Sequence, residues 1–123
     1  MLANSAAPPD IVSEVDIKAL VNGFYDNVRT DALLGPVFNA IAQVYWPQHL
    51  LTMYAFWNSV LLGAPRAEPP AFPRHLALPT DARHCQRWLE VFHQTVDGLF
   101  AGTRAEAAKA RARQISQLQQ APQ

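Results

Sequence analysis

Trp46-Pro47-Gln48-His49-Leu50-Leu51-Thr52-Met53-Tyr54-Ala55-Phe56-Trp57 is the stretch that decides how this chain folds. Trp46, His49, Leu50, Met53, Phe56 and Trp57, continued by Val60 and Leu61, return at every third or fourth position. That period lines one face of a helix and does not fit the alternation of a strand. Pro47 falls in the first turn of the predicted helix, where a missing N–H does no harm, and Gly63 suits its C-terminal end. His49 is the one strongly polar member of the stripe.

Upstream, Ser13 is a predicted N-cap, with Asp16 three positions on to complete a capping box. Ile17, Leu20, Val21, Phe24, Tyr25 and Val28 follow at offsets 0, 3, 4, 7, 8 and 11, a single helical face. Gly35-Pro36 ends this unit and opens a predicted irregular stretch holding Val37 and Phe38. Downstream, prolines 65, 69, 70, 73 and 79 rule out a regular helix from Ala64 to Pro79. Thr80 or Asp81 starts a third helix, with Cys85, Trp88, Leu89, Phe92, Val96, Leu99 and Phe100 inward. Gly102 breaks it, and Thr103 with Glu106 offers a capping box for a fourth helix that ends polar. No segment alternates with period two for long enough to make a strand. The expectation is an all-α chain with residues 1–12 as a flexible segment, 13–118 as one domain and 119–123 as a polar tail.

Composition narrows the partners. At 123 residues and 50% hydrophobic, the chain can bury one core. Ten basic and ten acidic residues cancel, which removes the electrostatic argument for a nucleic-acid or anionic-membrane partner. One cysteine, Cys85, excludes an internal disulfide framework and a cysteine-rich zinc site; on an apolar stripe it reads as a small buried hydrophobe. The N-terminus has no basic and apolar leader pattern, and no apolar run spans a membrane, so the cytoplasm is the expected location. There is no phosphate-binding glycine loop, no carboxylate pair on one face and no Gly-x-Ser-x-Gly turn.

The histidines carry the chemistry that remains. Taken alone, His49 reads as a core or interface histidine, or as a ligand, and His75 in Phe72-Pro73-Arg74-His75-Leu76 as a surface loop residue, or as a ligand. His84 and His93 lie off the main stripe of the third helix and read as solvent-facing. One imidazole on a rigid helix and one on a stiff loop facing it suit the two sides of a flat, metal-bearing cofactor. Three tryptophans, three tyrosines and six phenylalanines are rich for so short a bundle, and a flat apolar group would absorb that surface. Tyr25 and Trp88 point inward and carry polar hydrogens that want partners when buried. The bland alternative is a cofactor-free helical interaction module with an aromatic core.

Six segments in order carry a resemblance: Phe24-Tyr25-Asp26-Asn27-Val28-Arg29, Leu34-Gly35-Pro36-Val37-Phe38, Trp46-x-x-His49, Phe56-Trp57, His75-Leu76-x-Leu78 and Arg87-Trp88-Leu89-x-x-Phe92. Spread over roughly residues 13–118, they resemble the truncated haemoglobins of group III. The resemblance implies a 2-on-2 helical globin sandwich around haem b, non-covalently bound because no Cys-x-x-Cys-His is present. It implies His75 as the proximal iron ligand, and Tyr25, His49 and Trp88 around the distal ligand, with His49 as a gate, a further hydrogen-bond donor or, with no ligand present, an iron ligand itself. Phe38, Met53, Phe56, Trp57, Leu78 and Phe92 would line the haem, and Arg74 would reach a propionate. One departure is plain: Ala67-Glu68-Pro69-Pro70-Ala71 stands where the family often has Tyr-x-Gly-x-Pro.

The function this implies is binding of dioxygen, nitric oxide or a similar small ligand, with oxygen transport or redox detoxification of nitric oxide or peroxide as its use. Turnover would need an unidentified reductase, because the sequence holds no flavin or nicotinamide motif.

Overall fold

Helix-forming stripes separated by Gly, Pro and Asp leave little room for anything but helices, and the structure bears this out. The computed structural model describes residues 8–63 and 82–120, with the backbone alone for 37–49 and 118–120. These residues form α1 (Glu14–Thr30), α2 (Gly35–Leu62), α3 (Ala82–Leu99) and α4 (Thr103–Gln120), and none of them forms a strand. The expected proline-rich loop from Ala64 to Pro79 lies outside the described residues.

All six residues of the first stripe are buried: Ile17, Leu20, Val21, Phe24, Tyr25 and Val28. α1 packs through them against both α2 and α3, while α3 packs on α4 and α2 touches α4 more lightly. α2 contributes Met53, Phe56, Trp57 and Leu61 to the core, and α4 contributes Ala105, Ala108, Ala112 and Ile115. Burying each large apolar side chain favours the fold by about 1.5–3 kcal/mol. The small alanine face of α4 lets the backbones of α3 and α4 approach. Cys85 is buried, as expected of a small hydrophobe.

Several local expectations are corrected. Gly35-Pro36 does not open an irregular stretch, for α2 begins at Gly35 and runs unbroken through Pro47 to Leu62. The reason lies just upstream. The Asp31 carboxylate accepts the N–H groups of Leu33 (3.1 Å) and Leu34 (3.0 Å), and the Gly35 N–H donates to the Asp31 carbonyl (2.9 Å). With those donors satisfied and Pro36 in the first turn, the helix starts at once. At α1, Ser13 makes no side-chain cap bond; Asp16 instead accepts the Val12 N–H at 2.9 Å.

The Thr103–Glu106 box also does not form. Gly102 precedes α4 with φ +133°, and Asp10 caps the helix from the far end of the chain. Its two carboxylate oxygens accept the N–H groups of Arg104 (3.0 Å) and Ala105 (2.9 Å). Glu106 pairs with Lys109 instead. A Cβ at Gly102 would fall 2.6 Å from the Asp10 carboxyl carbon, so only glycine admits this cap. Arg104 completes the clasp by donating to the carbonyls of Leu61 (3.1 Å) and Ile11 (3.3 Å).

The inner face of α3 is wider than its main stripe. Val91 and Thr95 are buried, Leu99 is 40% exposed rather than inward, and His84 and His93 are half-buried rather than solvent-facing. α3 is covered on two sides, by α1 and by α4, so more than one stripe is enclosed. His93 accordingly comes within 3.4 Å of the Lys109 carbonyl on α4.

Two expected outcomes follow from the carboxylates. Asp10→Ala is expected to lower stability by about 1–2 kcal/mol in urea unfolding, the usual cost of a lost N-cap, and an unchanged midpoint would contradict the clasp. Burial pushes the carboxyls of Asp10 and Asp31 up, but the N–H groups of Arg104, Ile11 and Ala105 on Asp10 hold it below its ordinary value of 3.8. The Leu34 N–H, the Arg87 side chain and the Leu33 N–H do the same for Asp31. A carboxylate held below its unfolded value stabilises the fold above that value, and the contribution is lost as pH falls through the folded value. The melting temperature is therefore expected to drop as pH falls below about 4, and to drop less steeply in the Asp10→Asn, Asp31→Asn double variant.

Candidate functional site

Tyr25 and Trp88 sit on different helices, α1 and α3, and both are almost fully enclosed, at 3% and 2% exposure. What lies between them is Phe24. Its ring meets Tyr25 at 4.8 Å and 62°, Trp88 at 5.6 Å and 87°, and Phe92 at 5.3 Å and 73°. All three are edge-to-face contacts, each contributing about 0.5–1.5 kcal/mol beyond the buried area. Beside them the rings stack: Phe92 lies 5.0 Å from Trp57 at 20° and 5.9 Å from Trp88 at 15°. Phe56 closes the group edge-on to Trp57 at 5.1 Å.

These positions follow from the sequence periods. Phe24 and Tyr25 are neighbours on the buried stripe of α1, so they point to adjacent sectors of the core. Trp88 and Phe92 are four apart on α3 and therefore lie one above the other. Phe56 and Trp57 bring the same arrangement from α2.

Burial gives Tyr25 a definite chemistry. It pushes the phenol pKa well above the ordinary 10.0, so the hydroxyl keeps its proton throughout the physiological range. A protonated phenol can donate a hydrogen bond, and the indole N–H of Trp88 can only donate. The site thus offers two donors on a hydrophobic background. A cleft of about 250 Å³ between α1 and α2, walled by Asn22, Asp26, Arg29 and Leu50, reaches Tyr25 from outside.

Of the residues expected at the site, Tyr25, Met53, Phe56, Trp57, Trp88 and Phe92 all join one buried cluster. His49 and Phe38 lie in α2, in the stretch whose side chains are not described. Arg74, His75 and Leu78 lie outside the described residues. Among the described residues, no group of three or more His, Cys, Asp or Glu could hold a metal ion. No helix among them is long and apolar enough to cross a membrane.

Two polar links between α1 and α3 had no sequence signal strong enough to find. Asn27 Nδ2 donates to Thr95 Oγ1 at 2.9 Å. Arg87 Nε donates to Asp31 Oδ1 at 2.7 Å. Asp31 and Arg87 are 56 positions apart, and only the fold brings them together.

No family model matches the chain. The group 3 truncated hemoglobin ctb of Campylobacter jejuni is 28% identical to it over 92 residues, 72% of each chain. The crystal structure of a group III truncated hemoglobin from Campylobacter jejuni superposes with a TM-score of 0.74 at 26% identity, covering 92% of both chains. This chain has the fold of the group III truncated haemoglobins. The likeness runs through nearly the whole molecule.

The enclosure of Tyr25 is directly measurable. In a tyrosinate absorbance titration of the folded chain, Tyr25→Phe is expected to remove nothing from the transition near pH 10. Loss of one ionisation there would mean that the phenol faces water.

Proposed function

We infer that this chain binds haem b without a covalent bond, through His75, and holds dioxygen or a similar diatomic ligand on the side of Tyr25, His49 and Trp88. The observation that carries the reading is the pair of enclosed donors, Tyr25 and Trp88, set on Phe24 in a group III truncated haemoglobin fold. Structural relatives named as truncated hemoglobins support it. The donor set also fits the group, since a haem ligand in an apolar pocket needs hydrogen-bond donors and little else.

Haem held by His75 would supply an iron able to take up a small ligand. The protein's part is to hold that ligand. Dioxygen in the pocket carries partial negative charge, and the Tyr25 hydroxyl and Trp88 indole N–H donate to it. Each such charge-assisted bond contributes about 1.5–3 kcal/mol, roughly a 10- to 150-fold slowing of escape. Carbon monoxide is less polarised and gains less. The rings of Phe24, Trp57 and Phe92 keep water out and the local dielectric low, which strengthens both bonds. By the resemblance, His75 would hold the iron, Arg74 would reach a propionate, and His49 would serve as a gate, a further hydrogen-bond donor or an iron ligand when no small ligand is present. Phe38, Met53, Phe56 and Leu78 would complete the apolar lining.

Firm retention suits chemistry on the held ligand better than delivery. The use we propose is therefore redox detoxification of nitric oxide or peroxide, with electrons from a separate reductase.

Haem titration of the purified chain tests the assignment of His75. His75→Ala is expected to lose most of the haem, and full retention with an unchanged spectrum would overturn it. Tyr25→Phe is expected to retain haem but release dioxygen faster, by roughly ten-fold or more. Identical release rates would mean that the hydroxyl does not reach the ligand.

A further inference from the structure

A donor that touches a diatomic ligand must be aimed to within a few tenths of an ångström, and side chains on separate helices are only as well aimed as the helices are registered. α1 and α3 are registered by two polar links of antiparallel sense. Asn27 of α1 reaches Thr95, and Asp31, just past the end of α1, reaches Arg87, eight residues back along α3. The segment between the two anchors on α3 contains Trp88, Val91 and Phe92, all buried, and the rings of Trp88 and Phe92 meet Phe24 of α1.

The Asp31–Arg87 link is the more constrained. Asp31 Oδ1 accepts both Nε and Nη2 of Arg87 at 2.7 Å, and Asp31 Oδ2 accepts the Leu33 and Leu34 N–H groups. The third guanidinium nitrogen, Nη1, donates to Glu90 Oε1 at 3.1 Å. The Asp31 side chain is 7% exposed and that of Arg87 37%, so the pair is largely shielded on the carboxylate side. One carboxylate therefore joins the end of α1, the start of α2 and the residue next to Trp88. All three guanidinium nitrogens are engaged, two on one Asp31 oxygen and one on Glu90, which holds the plane of the group more firmly than a single point charge is held.

We propose that Asp31 and Arg87 are positioning residues: their ion pair fixes the rotation of α3 and so aims the Trp88 indole N–H at the ligand position beside the Tyr25 hydroxyl. This rests on the haem reading given above. Asn27 and Thr95 set the other end of the same segment. The pair acts through Trp88 and touches no ligand itself.

The test uses Arg87 variants, because Asp31 then keeps its bonds to the α1–α2 turn. Arg87→Met retains the apolar stem, and Arg87→Lys retains the charge without the fork. Two readouts are taken on the full chain: the Trp88 indole N–H cross-peak in the haem-free protein, assigned by Trp88→Phe, and the carbon monoxide stretching band of the haem-loaded protein. Arg87→Met is expected to shift the cross-peak and to move the band toward its Trp88→Phe position, with Arg87→Lys in between. Dioxygen release is expected to quicken by roughly five-fold or more, as for a weakened charge-assisted bond. A lower melting temperature with cross-peak and band both at their wild-type positions would overturn the proposal, leaving the pair a stabilising contact only. If no variant, nor the wild type, takes up haem, the functional reading fails, and the cross-peak alone decides whether the pair positions Trp88.

Discussion

One phenylalanine ring, Phe24, touches the edges or faces of three others, and the arrangement of the site depends on it. Edge-to-face contacts have a preferred geometry, unlike the contacts between aliphatic chains. Two of the three, to Trp88 and Phe92, cross from α1 to α3 and leave the two helices little freedom to roll against each other. Tyr25 and Trp88 inherit their positions from that restraint. A smaller residue at position 24 would leave a void between the two donors, where interiors tolerate voids poorly.

The polar links complement the rings. Ring contacts fix distance and tilt, while hydrogen bonds with direction fix register along the helix axes. Asn27–Thr95 and Asp31–Arg87 lie at the two ends of the aromatic segment of α3, so Trp88 and Phe92 are held between polar anchors. A similar division holds at the other end of the fold. Asp10 and Arg104 clasp the chain before α1 to the start of α4 and the end of α2, away from the aromatic cluster. Polar anchors at the periphery and rings in the middle leave a dry, rigid centre with few polar groups. Such a centre suits a small ligand of low polarity.

Much of this was readable in the chain. The stripe of α1 appears buried residue for residue, because its 3.6-residue period has no competing signal. Tyr25 and Trp88 were marked as inward donors from their stripes alone. Other features were not readable, for physical reasons. Gly35-Pro36 looked like a stop because glycine and proline punctuate both ends of helices, and what makes it a start is the Asp31 carboxylate taking up the N–H groups before it. Thr103 and Glu106 offered a local cap, yet Asp10, more than ninety positions away, supplies the one that forms. His84 and His93 looked exposed because one stripe was assumed, whereas α3 is covered by two helices. Long-range pairs such as Arg87 with Asp31 leave no periodic trace. The resemblance in six short segments agrees with the group III truncated hemoglobin fold, whereas the angles between the rings depend on packing that no segment encodes.

The central claim is that the enclosed donors face a haem ligand rather than merely fill a core. An absorption spectrum after haem addition, taken oxidised, reduced and reduced under carbon monoxide, tests it most directly. The expected result is a sharp Soret band that shifts with carbon monoxide, the mark of an exchangeable axial position. A spectrum equal to that of free haem, with no shift, would contradict the account and leave the aromatic cluster as the core of a cofactor-free helical protein.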